Sequence, residues 1–203
     1  MADGGRSLSS RWMRKAVLAA SIRNRNRKVA VIGRFMSDNA VRNVVFVGCS
    51  PGTNANERIV ENAVAERAEV LSACDILDCE VPWPFVQADA RDLPFEDGYT
   101  DMVLANAIIE HVGDASDQAR FVAEQTRVAR TWVITTPNRW FPVESHTATV
   151  FKHWSSTWRA RQPSFTRLLS RSEFRDLLPP GAKIHGRPWA PTFMAFYSKD
   201  DTA

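Results

Sequence analysis

The run Val44-Val45-Phe46-Val47-Gly48-Cys49-Ser50-Pro51-Gly52-Thr53-Asn54 limits the folds open to this chain more than any other stretch. Its first four residues are β-branched or aromatic and read as a buried strand. They end in a turn of small residues, and a helical pattern over 56–67 follows. A strand, a glycine-containing turn and a helix in that order present backbone N–H groups at a helix N-terminus, which suits a nucleotide-like ligand. Two further strand-like runs each lead to a carboxylate: "VLSAC" to Asp75 and "FVQA" to Asp89.

Strand patterns at 43–48, 70–75, 84–88, 101–106 and 131–136 alternate with helical patterns at 56–67 and 115–129. That alternation predicts a mostly parallel α/β sheet with helices on both faces. Pro82 and Pro84 limit any helix between Asp75 and Phe85 to a turn or two. The stretch 138–163 is irregular and aromatic, with Trp140, Phe141, His146, Phe151, His153, Trp154 and Trp158. A helix from about Ser170 to Leu178 follows, capped by Ser170 or Ser172 and stopped by Pro179-Pro180-Gly181. Strands near 182–186 and 192–198 complete the pattern as an antiparallel edge hairpin.

With 203 residues, the chain reads as a single domain: a basic helical segment over 1–40, a core over 41–138 and a last segment over 139–203. Residues 1–10 read as a disordered start. From Ser10 to about Met36, Arg11, Arg14, Lys15, Arg23, Arg25, Arg27, Lys28 and Arg34 alternate with apolar residues. The pattern fits one or two amphipathic helices with a solvated basic face; contact with an acidic polymer or a membrane surface is the alternative. The net charge of +3 is too mild to argue for an anionic partner, and no nucleic acid is expected. The longest apolar run near the start, Ala16 to Ala20, is too short for a membrane span. Cys49, Cys74 and Cys79 lack metal spacing; an odd count without a signal-peptide pattern points to the reducing cytoplasm.

The order "VVFVGCSPG … SACDI … QADARDLPFEDGYTDMVLANAIIEHV" resembles the cofactor half of class I S-adenosylmethionine-dependent methyltransferases. It is most similar to their small-molecule branch. The resemblance implies a Rossmann-like, mostly parallel seven-stranded sheet with an antiparallel edge hairpin, and S-adenosylmethionine as cofactor. It covers about 42–138 and extends weakly through "LLSRSEFRDLL" and "FMAFYSK". By that resemblance, Gly48, Cys49, Ser50 and Gly52 form the loop against the methionine part of the cofactor. Asp75 takes the ribose hydroxyls, Ile76 packs on the adenine, and Asp89 with the backbone of Ala90 reads the adenine edge. Ala105 and Asn106 face the charged end. The chain departs from the family at Ser50, which replaces the middle glycine, and at Phe46, which replaces an acidic residue. Asn54-Ala55, near the place of a third glycine, argues against a nicotinamide cofactor.

The segment after the fourth strand, Ala105-Asn106-Ala107-Ile108-Ile109, differs from the Asn/Asp-Pro-Pro-Tyr pattern of enzymes that methylate amino groups of DNA or protein. A hydroxyl acceptor needs its proton removed. Glu110, His111, Glu144 and His146 are the candidates, and two readings stand. In one, His146 is a direct base. In the other, Glu110, His111 and His146, with Glu144, belong to a Mg²⁺-type site, although Ala107 stands at the first glutamate of the related Glu-x-x-Glu-His cluster. A strand-end role for Glu110-His111 is the plain alternative. The resemblance of "TPNRWFPVESHT" to methyltransferases of saccharide biosynthesis implies an acceptor hydroxyl on a sugar, oligosaccharide or similar metabolite. An RNA methyltransferase and a non-catalytic S-adenosylmethionine-binding protein are the rivals. A homodimer through the Arg-rich helices or the late aromatics is left open.

Overall fold

A computed structural model describes residues 8–49, 58–144, 149–155, 157, 161 and 166–202. Five parallel strands are β1 (Asn43–Val47), β2 (Glu69–Asp75), β3 (Phe85–Gln87), β4 (Thr100–Asn106) and β5 (Ala129–Pro137). A small antiparallel pair follows, β6 (Val143–Glu144) with β7 (Thr149–Val150). The chain then returns to the main sheet as β8 (Lys183–His185) and β9 (Thr192–Ser198). The seven-stranded order is β3-β2-β1-β4-β5-β9-β8, with β9 antiparallel to β5 and β8 at the edge. This is the mixed sheet expected from the sequence, with the hairpin inserted so that β9, not β8, pairs with the parallel core.

The apolar run of β1 is unbroken because both faces of the sheet are covered. Val45 and Val47 point into one core layer with Phe121, Trp132 and Phe174. Val44 and Phe46 point into the other with Ile32, Met36, Val60 and Phe196. Burying one side chain of this size stabilises by roughly 1.5–3 kcal/mol. The first layer is closed by α3 (Ala115–Val128) and α4 (Arg171–Asp176). Each opens on a capping box, Asp114 with Asp117 and Ser170 with Glu173, which satisfies N–H groups the helix cannot bond itself. Ser170 is thus the cap, of the two serines the sequence offered.

The second layer is closed by α1 (Leu8–Asp38) and α2 (Ile59–Ala65). The N-terminal segment is one helix of 31 residues, beginning at Leu8. It runs antiparallel to the parallel strands. Its end lies by the start of β5, where Arg130 Nη2 donates to Asn39 O at 2.7 Å, and its middle lies by the end of β4, where Lys28 meets Asn106. The buried stripe of α1 is Lys28, Ile32 and Met36 at four-residue spacing. Phe35 adds a ring contact to Phe196, with centroids 5.1 Å apart. Lys28, counted from the sequence among solvated basic residues, is instead buried at the carboxyl edge of the sheet. No helix among the described residues is long and apolar enough to cross a membrane.

Candidate active site

Ligands of open α/β sheets bind outside the carboxyl ends of the strands, and the candidate residues gather there. β1 is followed by Gly48, whose φ of +80° favours glycine. A Cβ at Gly48 would lie 2.5 Å from Ile108 Cγ1, so the turn packs directly on the segment after β4. Gly48 N donates to Cys74 O at 2.8 Å. Cys49 N then donates to Asp75 Oδ2 at 2.9 Å, and Leu77 N donates to Asp75 Oδ1 at 2.9 Å. The Asp75 carboxylate therefore ties the loop after β1 to the loop after β2. Each of its oxygens keeps a second lone pair for a ligand. Ile76 beside it is 60% exposed, a large apolar side chain open at the edge. Ser50, Gly52 and His146 lie outside the described residues, and Glu144 is placed only as backbone in β6.

A cavity of about 260 Å³ opens beside this turn, with Gly48, Cys49, Glu61, Asn106, Ala107 and Lys28 in its wall. Lys28 Nζ donates to Asn106 Oδ1 at 3.0 Å and to Thr135 Oγ1 at 3.1 Å. Asn106 Nδ2 donates to Glu61 Oε1 at 2.8 Å. Burial lowers the Lys28 ammonium to about 8, against the raising influence of Glu110 and Glu61. Burial raises the Glu61 carboxyl, against the hydrogen bond from Asn106 and the charge of Lys28. Glu61 Oε2 is buried without a hydrogen-bond partner among the described residues. Ala107 takes a left-handed φ of 61°, held by bonds from its N–H to Thr135 O and Oγ1, both 3.1 Å. Such a conformation in a non-glycine residue is sustained only by its surroundings. Ala105, expected from the sequence to face the ligand, has its side chain fully buried in the core, and Asn106 and Ala107 form the wall instead.

Asp89 follows β3 at the same edge, but its carboxylate is gripped by Arg91. Arg91 Nε donates to Asp89 Oδ1 at 3.0 Å, and Arg91 Nη2 to Oδ2 at 2.6 Å. Arg91 Nη1 also reaches Asp117 at 2.6 Å, so the group clamps the loop after β3 to α3. The guanidinium holds the Asp89 carboxyl below its usual range. Ala90 is partly buried, and its carbonyl accepts from Gln125 Nε2 at 2.8 Å.

Glu110 and His111 form a short turn after β4. Glu110 is fully buried; its Oε2 accepts from Thr136 Oγ1 at 3.3 Å, and its carbonyl accepts from Arg167 N at 2.7 Å. His111 Nδ1 lies 3.4 Å from Thr166 Oγ1. Among the described residues no three His, Cys, Asp or Glu side chains are grouped to hold a metal ion. Glu110 is directed into the core against Thr136, so the described part of the Mg²⁺ set does not fit a metal centre.

The sequence reading missed Lys28, Glu61 and Ala107. Lys28 was detectable in principle, because it stands four residues before Ile32 and eight before Met36, on the buried stripe. Glu61 and Ala107 gave no comparable signal.

Residues 45–132 match the sequence family described as a methyltransferase domain. No curated protein matches the chain at significant similarity. Among solved structures, the fold is similar to that of a SAM-dependent methyltransferase from Archaeoglobus fulgidus, at TM-score 0.57 and 16% identity over 86% of this chain and 94% of that one. It is also similar to an S-adenosylmethionine-dependent methyltransferase from Clostridium acetobutylicum, at TM-score 0.59 and 7% identity over 84% and 89% of the two chains. The N-methyltransferase NodS from Bradyrhizobium japonicum is similar at TM-score 0.56 and 12% identity, over 88% and 96%. At such identities the likeness establishes the fold.

Proposed function

We infer that this chain, an S-adenosylmethionine-dependent methyltransferase by its methyltransferase domain and its fold, acts on a hydroxyl of a sugar, oligosaccharide or similar polyhydroxylated metabolite. When bound, S-adenosylmethionine supplies an electrophilic methyl group on a sulfonium. The observation that best supports such a cationic ligand is Glu61: a buried carboxylate oxygen without a partner among the described residues, in the wall of the cavity beside Gly48. A buried carboxylate oxygen left unpaired is costly unless a ligand satisfies it. Glu61 thereby offers the anionic contact that Phe46 removes from the usual position.

In this reading Asp75 accepts the ribose hydroxyls through its two remaining lone pairs, and Ile76 covers the adenine. Asp89 shares its carboxylate between Arg91 and the adenine edge, next to Ala90. Gly48, Cys49, Ser50 and Gly52 bring backbone close to the amino-acid end, and Asn106 orients Glu61 there. We assign proton removal to His146, with Glu144 two residues before it and without a metal ion. In that role the imidazole would take the proton that the acceptor hydroxyl gives up as it becomes methylated.

Support for a saccharide comes from exposed aromatic rings past β5. Trp154 lies 6.3 Å from Trp140 and 4.8 Å from Phe151 by ring centroid, and all three are exposed. Flat apolar faces of this kind suit sugar rings. The three cysteines are free and buried, which fits a reducing compartment such as the cytoplasm.

Calorimetric titration with S-adenosylhomocysteine, with and without Mg²⁺, followed by an acceptor screen led by mono- and oligosaccharides, tests the proposal. Micromolar binding indifferent to Mg²⁺, with a methylated sugar as product, is the expected result. No binding would overturn the cofactor assignment, and binding with methylation only of nitrogen acceptors would overturn the hydroxyl.

A further inference from the structure

We propose that the acceptor sits in a second cavity, between α1 and the loop joining β8 to β9, and that it carries an anionic group, a phosphate or a carboxylate. The inference rests on the methyltransferase reading and adds the chemical class of its substrate.

Position is the first argument. β9 runs against β5, and Thr192 at its start pairs with Pro137 at the end of β5. The loop over 186–191 therefore stands at the same carboxyl edge as Gly48 and Asn106. The cavity there measures about 440 Å³, within the range of small-molecule sites. Asn24, Lys28 and Thr192 line both this cavity and the one beside Gly48. The two cavities therefore adjoin at these side chains. That is the proximity group transfer requires.

Charge is the second. Arg27, Lys28 and Arg187 all line the cavity, and none of its described lining residues is Asp or Glu. A concave site lined by one sign of charge concentrates the opposite sign. The guanidinium groups of Arg27 and Arg187 match phosphate and carboxylate geometry. Trp189 is 70% exposed, and the Arg187 guanidinium carbon lies 5.8 Å from its ring centroid. The Arg187 cation lies over one side of an indole that is otherwise exposed, and the pair presents one contact for an anionic substituent and one for the ring that carries it.

Rigidity is the third. Asn138 Nδ2 donates to Pro188 O at 2.7 Å and to Ala190 O at 2.9 Å, and Asn138 N donates to Pro191 O at 3.0 Å. Asn24 Nδ2 donates to Thr192 Oγ1 at 3.1 Å and ties α1 to the same loop. The loop holding Arg187 and Trp189 is thus fixed from both the sheet and the helix, so ordering it does not oppose binding.

The test is calorimetry on the full chain saturated with S-adenosylhomocysteine, titrated with glucose 6-phosphate, glucuronate, inorganic phosphate and glucose, and repeated with Arg187→Ala and Arg27→Ala. At least one anionic probe is expected to bind tenfold or more tighter than glucose. Each variant is expected to weaken that probe tenfold or more while S-adenosylhomocysteine affinity stays within twofold. The phosphate and carboxylate arms show which anion the cavity prefers. Equal binding of charged and neutral probes, or anion binding that survives both substitutions, would overturn the proposal; S-adenosylhomocysteine binding in the same experiment would leave the cofactor assignment standing. Arginine-dependent anion binding without methylation of any hydroxyl acceptor would uphold this site and count against the hydroxyl chemistry alone.

Discussion

Lys28 Nζ donates to Asn106 Oδ1 at 3.0 Å, joining the middle of α1 to the last residue of β4. That bond makes the N-terminal helix part of the candidate site. The inward stripe of α1 is apolar at Met36 and Ile32, where it covers the sheet, and turns polar at Lys28, where it passes the strand ends.

Lys28 carries a stability prediction. Its ammonium is held at about 8, from an ordinary 10.5, because burial disfavours the charge. Between those two pH values the unfolded chain binds the extra proton, so stability rises with pH across that window. Below pH 8 both states are protonated and the whole penalty, on the order of 3 kcal/mol, opposes folding. Lys28→Met removes the buried charge, and Thr135 Oγ1 still bonds Asn106 Oδ1 at 2.8 Å. We expect the variant to be more stable at pH 7 by about 1–3 kcal/mol in urea unfolding. Its advantage should shrink between pH 8 and 10. Parallel pH profiles for the two proteins would refute the account.

Gly48→Ala and Gly98→Ala separate backbone strain from packing. Both glycines have positive φ, +80° and +68°. Nothing lies within 4 Å of a Cβ at Gly98, whereas Gly48 faces Ile108 at 2.5 Å. Gly98→Ala should cost about 1 kcal/mol, the left-handed term alone. Gly48→Ala should cost about 2–4 kcal/mol, because it adds overpacking, and should weaken S-adenosylhomocysteine binding. Equal losses in denaturant unfolding would show that Ile108 gives way.

The parallel core was legible because Val44 to Val47 are apolar on both sides, and only a sheet covered twice needs that. The position of Asp75 at the end of β2 was legible from the apolar run "VLSAC" before it; its ligand role came from the family resemblance. The basic helix was read correctly, but Lys28 was misplaced because the charges of the helix were counted rather than placed on faces. Lys28 shares a stripe with Ile32 and Met36, while Arg27 and Arg34 do not. Asp89 was legible as a strand-end carboxylate, but the clamp that joins it through Arg91 to Asp117 depends on how α3 packs. Arg187 and Trp189 sit in a loop without periodicity, and only the insertion of β9 beside β5 brings them to the strand ends.

The thiols give a chemical readout of the turn. Burial, aided by the neighbouring Asp75, pushes the Cys49 thiol up to about 12, and burial pushes Cys74 to about 11. Only the thiolate reacts with iodoacetamide. At pH 8 both should alkylate at least a hundredfold more slowly than a free cysteine, as read by peptide mass spectrometry. In urea the difference should vanish. Fast native labelling at Cys49 would show that the turn after β1 opens.

His146→Ala should lower kcat by roughly 10²–10⁴-fold if the imidazole takes the acceptor proton, with S-adenosylhomocysteine affinity unchanged. The acidic limb of the pH–rate profile should disappear with it. Full activity would remove His146 from the mechanism.

Asp75 has two tasks, and they are separable. Its oxygens accept from Cys49 N and Leu77 N, each at 2.9 Å, which shapes the site before any ligand arrives. Its remaining lone pairs are assigned to the ribose. Two charge-assisted hydrogen bonds are worth roughly 1.5–3 kcal/mol each. Asp75→Ala should therefore weaken S-adenosylhomocysteine by about a hundredfold or more, and Asp75→Asn by less. Part of that loss would come from the loosened loop. A ligand without the ribose 2′-hydroxyl isolates the direct contact: it should bind the native protein at least tenfold more weakly than the parent compound, and Asp75→Ala should bind the two alike. If the hydroxyl contributes equally in both proteins, Asp75 shapes the loop and does not touch the ribose.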